Sequence, residues 1–586
     1  MINGIFKKLS AVQIMVSVTS SVSMIVDSIV ISRFLGMNAV AAAGLITPVL
    51  MLVLAFSGVL SSGGQLIVGQ KLGRGEIEAA NKSLSLNVAL MLLSSALIIG
   101  VSCVFSGPIC IFLGAKENSE LLADAQEYLC GYILGTPGTI GMLSLIPMMN
   151  MDGDKKRTTV CAIAATVSDI ILDLLSVVLF PGNIFMIGLA SSISFYIAFF
   201  VIAGHFFVKN DKHVLKLSFR NIPWRETPQT LYLGSPAALQ KALRTLLSFT
   251  VNQILLVFGG SIALAAYTIV SSIGNLINSV GQGMSSATLT ITGVMYGERI
   301  KKNLSDLYKA FIKYSVLWNL VMVAVVLIGA DYLVILFMNS QKADVSTVAL
   351  ALRFFSLDFV FYSICLCAKS YYQGIKRMKV NYIITIFEGY VCIALFTWLL
   401  GSVWGLNGVC LGYGIGDAVS LLSIIAGILI TNKRFPRSIS DALLLPDGYV
   451  LPEEHALRFM VNSLEEATDV SKKVYDYLEL HADLCTSSKA GVKVALAVEE
   501  FTKNVVQYGF SKVNKPQMEV FLFFENGEIV LQIKDNCEKF SPVDYMRKHI
   551  EDSEVAQYHG IPMMFNLAKS IDYFSVLGMN KLVIRV

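Results

Sequence analysis

Residues Ala11–Ile31 read AVQIMVSVTSSVSMIVDSIVI, an apolar run of the roughly 20 residues a helix needs to cross a bilayer. Asp27 stands inside it. A carboxylate at membrane depth costs at least ~2 kcal/mol, so its side chain is expected to face a protein interior or a water-filled cavity. The residues that follow are as informative: SRFLG leads to Gly36, then AVAAAG and, four residues later, Pro48.

Composition agrees with a membrane protein. Hydrophobic residues make up 55% and charged residues 15% of the 586, and mean hydropathy is +0.65, outside the range of soluble domains. The ten cysteines contain no C-x-x-C pair, and Cys103, Cys161, Cys365 and Cys392 sit in apolar stretches; they are expected to pack as small apolar residues rather than to form disulfides or bind zinc. The six histidines show no metal-ligand spacing. The first apolar segment is too long for a cleavable signal peptide and has no small-residue cleavage site.

Apolar runs and charged breaks predict about twelve spans up to residue ~432. One set of breaks is basic: Lys7–Lys8, Lys71 to Lys82, Asp154–Arg157, Lys209 to Arg225, Arg299–Lys302, Lys369 to Lys379 and Lys433 to Arg437. The other set carries only Arg33, Lys116 and Lys342. About 23 basic residues against about 3 puts both termini in the cytoplasm under the positive-inside rule. The expected location is therefore the cell (inner or plasma) membrane, crossed many times.

The chain also repeats itself. Gly36, Ala41–Ala42 and Gly73 recur as Gly260, Ala265–Ala266 and Gly297, at an offset of about 224 residues, and GDKKR from Gly153 recurs less closely as GIKRM from Gly374. An offset spanning six helices predicts two six-helix lobes related by an axis along the membrane normal, residues 1–220 and 221–438, able to rock about a central cavity.

Asp27, eight residues, Gly36, then A-A-x-G and a proline resemble the first-helix signature of the multidrug and toxic compound extrusion (MATE) transporters. The resemblance runs over residues 1–435 and recurs at Gly64–Gly75 (GQLIVGQKLGRG), Gly234–Gln240 (GSPAALQ) and Gly281–Gly297 (GQGMSSATLTITGVMYG). It implies an antiporter coupled to H⁺ or Na⁺ that exports organic, often cationic, drug-like compounds by alternating access; no nucleic-acid partner is expected. Ser168–Asp173 (SDIILD) is similar to the family's N-x-x-x-D and sets Asp169 and Asp173 four apart on one helical face. Asp169 departs from the family, which commonly has Asn there. With Asp27 this makes three ion-coupling candidates in one lobe. Three acids close together cannot all ionise cheaply, so a shared proton or a bound sodium ion is expected.

The second lobe offers Asp358, Glu388, Asp417 and Arg244. Asp358 falls where some sodium-coupled relatives hold a cation ligand, whereas Arg244 falls near where they have an acid. An Arg244–Asp358 pair would neutralise both. Asp417, beside GYGIG, is equally readable as a helix cap or kink.

Beyond residue ~438 the composition changes. The last ~145 residues carry 15 Lys/Arg and 22 Asp/Glu, net about −7, and contain no stretch able to span a membrane. Helices are expected at Pro452–Thr468, Ser471–Cys485 and Gly491–Tyr508, and strands at Gln517–Phe524, Ile529–Lys534 and Leu582–Val586, making a cytoplasmic α/β sandwich over 439–586. Glu500 and Asn504 lie one turn apart on a helix, Asp535 ends a strand, HGIPMM at His559–Met564 precedes a helix, and GMN at Gly578–Asn580 enters the last strand. That order resembles the ATP-binding (GHKL) domain of histidine kinases, in its anti-sigma-factor kinase branch. The resemblance implies Glu500 as catalytic base, Asn504 as ligand of the Mg²⁺ of Mg-ATP, Asp535 on the adenine amino group, and Gly560 and Asn580 at the nucleotide. Cys537 and Lys539 replace expected glycines, and the lid offers only Gly560; Lys539 or Lys569 would have to compensate. The tail is then a serine kinase or ATPase, or a degenerate domain that binds a cytoplasmic protein partner.

A transporter with a regulatory tail is the leading reading. The alternatives are a membrane-tethered serine/threonine kinase using the bundle as sensor, and a lipid-linked oligosaccharide flippase. The tail lacks the GxxxxGK[ST] loop of a transport motor.

Overall fold

The protein was analysed as a computed structural model that describes all residues except 36, 117–118, 209–212, 337–341, 436, 447, 450–455, 482–489, 526–527, 540 and 542–567. The order begins α1 (Ile2–Val30, continued by a π turn to Leu35), α2 (Met37–Arg74), α3 (Ile77–Val104), α4 (Ser106–Phe112), α5 (Glu120–Ile133), α6 (Thr136–Met151), α7 (Lys155–Leu179) and α8 (Ile184–Ala203). It continues with α9 (Thr227–Gly297), α10 (Lys301–Ile335), α11 (Lys342–Phe355), α12 (Asp358–Gly374), α13 (Met378–Ile386) and α14 (Cys392–Asn432).

Among the described residues nine helices are long and apolar enough to cross a membrane, or ten if α5 and α6, bent by 44°, form one span. Large apolar side chains such as Leu97, Val178, Val257 and Ile328 point outward, the pattern of a surface solvated by lipid rather than water. Two spans are long enough for two crossings each. Trp224–Gly297 has 74 residues and Met378–Asn432 has 55; at 1.5 Å per residue both are far longer than the ~30 Å hydrocarbon core. Each is broken at a glycine with positive φ, Gly260 (φ 68°) and Gly405 (φ 55°), where a side chain would be strained.

The helix ends follow local chemistry. Asp154 and Asn183 cap α7 and α8 by accepting from the amides of Arg157 and Met186 at 3.3 and 3.2 Å, satisfying otherwise orphaned donors. The nine described cysteines are free, and Cys110, Cys161, Cys365, Cys367, Cys392 and Cys410 are buried.

The two halves approach closely at repeat-equivalent glycines. A Cβ built on Gly73 of α2 would lie 2.9 Å from Cα of Gly297 of α9, so only glycine permits this approach. Repeat-equivalent residues touching one another is the arrangement expected beside a pseudo-two-fold axis. Lys71, Arg74, Lys155, Arg299 and Arg377 from the basic breaks gather at this same end. Lys369 does not: it is buried within α12, a correction to its reading as a loop residue.

After α15 (Ile439–Ala442) come β1 (Ala456–Val461), α16 (Leu464–Leu480), α17 (Ala490–Asn504), β2 (Met518–Glu525), β3 (Glu528–Asp535), β4 (Ser570–Val576) and β5 (Met579–Arg585). The sheet is antiparallel throughout, in the order β1-β2-β3-β5-β4. Three expectations need correction. Pro452–Thr468 is not one helix: β1 occupies its middle, claimed by pairing with β2. The next helix starts at Leu464 and not Ser471, because Ser463 accepts from the Glu466 amide at 3.2 Å while Glu466 accepts from the Asn462 amide at 2.7 Å. β4 was not anticipated at all. One sheet face packs Val520, Leu522, Leu531, Ile533, Leu582 and Ile584 on α16 and α17. The other packs Phe521, Phe523, Val530, Phe574, Val576 and Val583 against the helical bundle.

Candidate functional site

The acids of the first lobe converge on one buried site. Asp169 and Asp173 lie one turn apart on α7 and are 3% and 0% exposed. Asp169 accepts from Ser194 of α8 at 2.9 Å and from Ser23 of α1, which brings α1 alongside. One turn after Ser23, Asp27 stands within electrostatic range of both Asp169 and Asp173. Both oxygens of Asp173 and one of Asp27 are buried without a hydrogen-bond partner. Among the described residues the cluster has hydroxyl donors but no Lys, Arg or His partner. Such a set can hold a proton or small cation, and its charge depends on whether it does. Tyr128 and Tyr132 of α5 stand within electrostatic range; no sequence spacing links them to Asp27.

The second lobe is wired differently from expectation. Arg244 of α9 pairs with Glu388, not with Asp358, and lies 4.7 Å from the ring centroid of Tyr362. Lys369 also binds Glu388, at 3.0 Å. Asp358 instead accepts from Asn278 at 3.0 Å. Asp417 lies within α14, neither at its start nor its end, with both oxygens buried and unpartnered. Thus Arg244, Lys369 and Glu388 form a largely compensated network, whereas Asp27, Asp169 and Asp173 do not. Lys369 was missed because it reads in sequence as part of one basic break with Lys376, Arg377 and Lys379, of which Lys376 and Arg377 form the turn before α13.

In the tail, Glu500 and Asn504 share a face of α17, and Asn504 has a buried, unpartnered amide nitrogen. Asp535 is buried at the end of β3, opposite Asn580 in register. Its Oδ1 accepts from Asn580 at 2.8 Å and from the Cys537 amide at 2.9 Å. Burial pushes its carboxyl up, opposed by the Asn580 hydrogen bond. Asn580 is thereby a partner of Asp535 in holding the β3 turn. Lys569 pairs with Glu528 at 3.1 Å. Gly560 and the HGIPMM stretch lie outside the described residues.

A junction joins the tail to both lobes. Lys534 of β3 meets Glu298, the residue after α9, at 2.6 Å; Lys581 of β5 meets it at 3.6 Å and donates to the Gly73 carbonyl of α2 at 2.6 Å. Asn303 of α10 donates to Glu298 at 3.1 Å. Burial would push the Glu298 carboxyl up, but the Lys534 and Lys581 ammonium groups pull it below its usual range. Burial pushes Lys581 down to about 8, against the pull of Glu298. The Leu577 amide donates to Met151 of α6 at 2.7 Å.

Comparison with known proteins agrees with the helical fold. The family model MatE matches residues 13–175 and 236–399, two segments whose starts are separated by nearly the repeat offset and which together cover more than half of the chain. The chain is 25% identical over 440 residues to the "Probable multidrug resistance protein NorM" of Bradyrhizobium diazoefficiens, covering 72% of this chain and 91% of the relative. It is 22% identical over 339 residues to the "Probable multidrug resistance protein YoeA" of Bacillus subtilis, covering 56% and 71%. A solved structure described as the outward-facing conformation of a multidrug resistance MATE family transporter superposes with a TM-score of 0.69 at 23% identity, covering 73% of this chain and 96% of that one. With the family's model matched in both halves of a bundle that carries its own buried carboxylate site, the chain belongs to the MatE family.

Proposed function

We propose that the chain is a cation-coupled antiporter that exports organic compounds by alternating access, with a tail that regulates the motion. Ten spans, counting α5–α6 as one, with the long segments divided at Gly260 and Gly405, support a reading of twelve crossings. The clustering of basic breaks at the tail end supports cytoplasmic termini and a cytoplasmic tail. The observation that carries the coupling is the uncompensated cluster of Asp27, Asp169 and Asp173. Binding a proton or sodium ion removes charge from a buried site, and the conformation that buries it best gains most; this differential affinity drives the switch. The names of the two multidrug resistance relatives support organic substrates for this chain.

The tail's part rests on Lys581. It holds Gly73 in the first lobe and Glu298 in the second. Opening toward the tail side must separate α2 from the end of α9, so a docked tail opposes that opening. Nucleotide binding at Asn504 is the proposed means of releasing it.

The test is drug efflux from proteoliposomes under separately imposed proton and sodium gradients. Asp27→Asn keeps the side-chain shape and should abolish gradient-driven efflux. Asp169→Asn and Asp173→Asn should combine non-additively, because the three carboxylates share one buried site. Undiminished gradient-driven efflux by Asp27→Asn would refute the coupling.

A further inference from the structure

Two histidines with no metal spacing in the sequence come together beside the junction. His205 follows α8, and His213 lies eight residues on, in the segment leading to the second lobe. Their ring centroids are 3.9 Å apart at 60°. Asp152, at the end of α6, faces both: its Oδ2 is 2.8 Å from Nε2 of His205 and 3.6 Å from Nδ1 of His213. One donor atom from each of the three lies within 4.8 Å of the others. Asp152 and His205 are buried at 6% and 1% exposure.

We propose that Asp152, His205 and His213 bind one divalent transition-metal ion of the zinc class. Three observations carry this assignment. The donor set, two imidazole nitrogens and a carboxylate oxygen, is one that zinc favours. Tetrahedral zinc with bonds of 2.0–2.2 Å spaces neighbouring donors by about 3.3 Å, and the observed 2.8 and 3.6 Å bracket that value. Nδ1 of His213 is buried and lacks a hydrogen-bond partner, so the protein alone leaves it unsatisfied.

The surroundings are those of a ligand-holding shell. Nδ1 of His205, turned away from the ion, sits 2.9 Å from Oδ2 of Asp154. This carboxylate–imidazole pair fixes ring orientation and tautomer, as carboxylates do behind metal-bound histidines. Asp154 is itself held by Arg157 at 3.1 Å. The Val214 amide donates to Oδ1 of Asp152 at 2.8 Å and the Leu215 amide to its Oδ2 at 3.2 Å, which fixes the carboxylate with Oδ2 beside the rings. A metal here would pin the segment that joins the lobes to the end of α6. The tail touches that same end, through Leu577 to Met151.

The full chain, purified in detergent without a polyhistidine tag and stripped with chelator, tests this. After exposure to zinc and desalting, elemental analysis should find close to one zinc per chain. Cobalt in its place should give the visible absorption bands of a tetrahedral site. His213→Ala, at a partly exposed position, should retain the wild-type melting temperature of the stripped protein and lose both signals. Asp154→Asn should raise the zinc Kd 10- to 100-fold. Less than about a tenth of a zinc per chain, or equal zinc retention by wild type and His213→Ala, would overturn the assignment.

Discussion

Removing Glu298 should undock the tail. This carboxylate neutralises two buried ammonium groups, Lys534 at 2.6 Å and Lys581 at 3.6 Å, and accepts from Asn303 at 3.1 Å. Glu298→Ala strands both cations. Losing one partner of a buried ion pair costs about 3–5 kcal/mol. Lys581 carries the smaller part of that cost: burial already holds it down at about 8, so it can shed its proton once Glu298 is gone. Lys534, with the shorter contact, bears the rest. A loss of 3–5 kcal/mol lowers the docked-to-undocked ratio by two to three and a half decades, at about 1.4 kcal/mol per decade. Hydrogen exchange of the full chain in micelles reads this at the Leu577 amide, whose acceptor is Met151 across the junction. Exchange there should accelerate by at least about 100-fold, and efflux should rise if docking opposes inward opening. Combining Glu298→Met, Lys534→Met and Lys581→Met should restore docking, since an apolar set of similar volume replaces a buried ion network at little cost. Wild-type exchange at Leu577 in Glu298→Ala would refute the reasoning.

Within the second lobe, Glu388→Gln strands Arg244 and Lys369 together, whereas Arg244→Met leaves Glu388 its Lys369 partner; the first should therefore lower the melting temperature in detergent more than the second, and equal losses would dismiss the network. Millimolar Mg-ATP should raise the melting temperature of the full chain, by an amount set by its concentration over Kd. Asp535→Ala should remove that shift and Asn504→Ala should weaken its magnesium-dependent part. No shift in the wild type would make the tail a docking module without nucleotide.

The buried carboxylates were legible because membrane burial is local: a run of apolar residues around Asp27 already says that the charge is out of place. The repeat was legible for a similar reason, since Gly73 and Gly297 sit at matched positions and each must be small where the halves touch. In the tail, Ser463-x-x-Glu466 was a readable capping signal that helical spacing over Pro452–Thr468 obscured. β2 and β3 read plainly as strands, and the near-continuous apolar run of β2 is itself the sign that both of its faces are covered. Other features belong only to the tertiary structure. Lys534 and Lys581 look like solvent-facing charges until Glu298, 236 residues from Lys534, arrives to neutralise them. Glu388 took Arg244 away from Asp358, the partner its position suggested, and drew in Lys369, which the sequence placed in a loop. His205 and His213 gained a common carboxylate only when α6 and α8 packed side by side. Sequence alone determined which residues could not stay exposed to lipid or water, because that depends on each residue and its neighbours along the chain. Which buried charge meets which was decided by folding, because a Coulombic partner is chosen by distance in space and carries no mark in sequence separation.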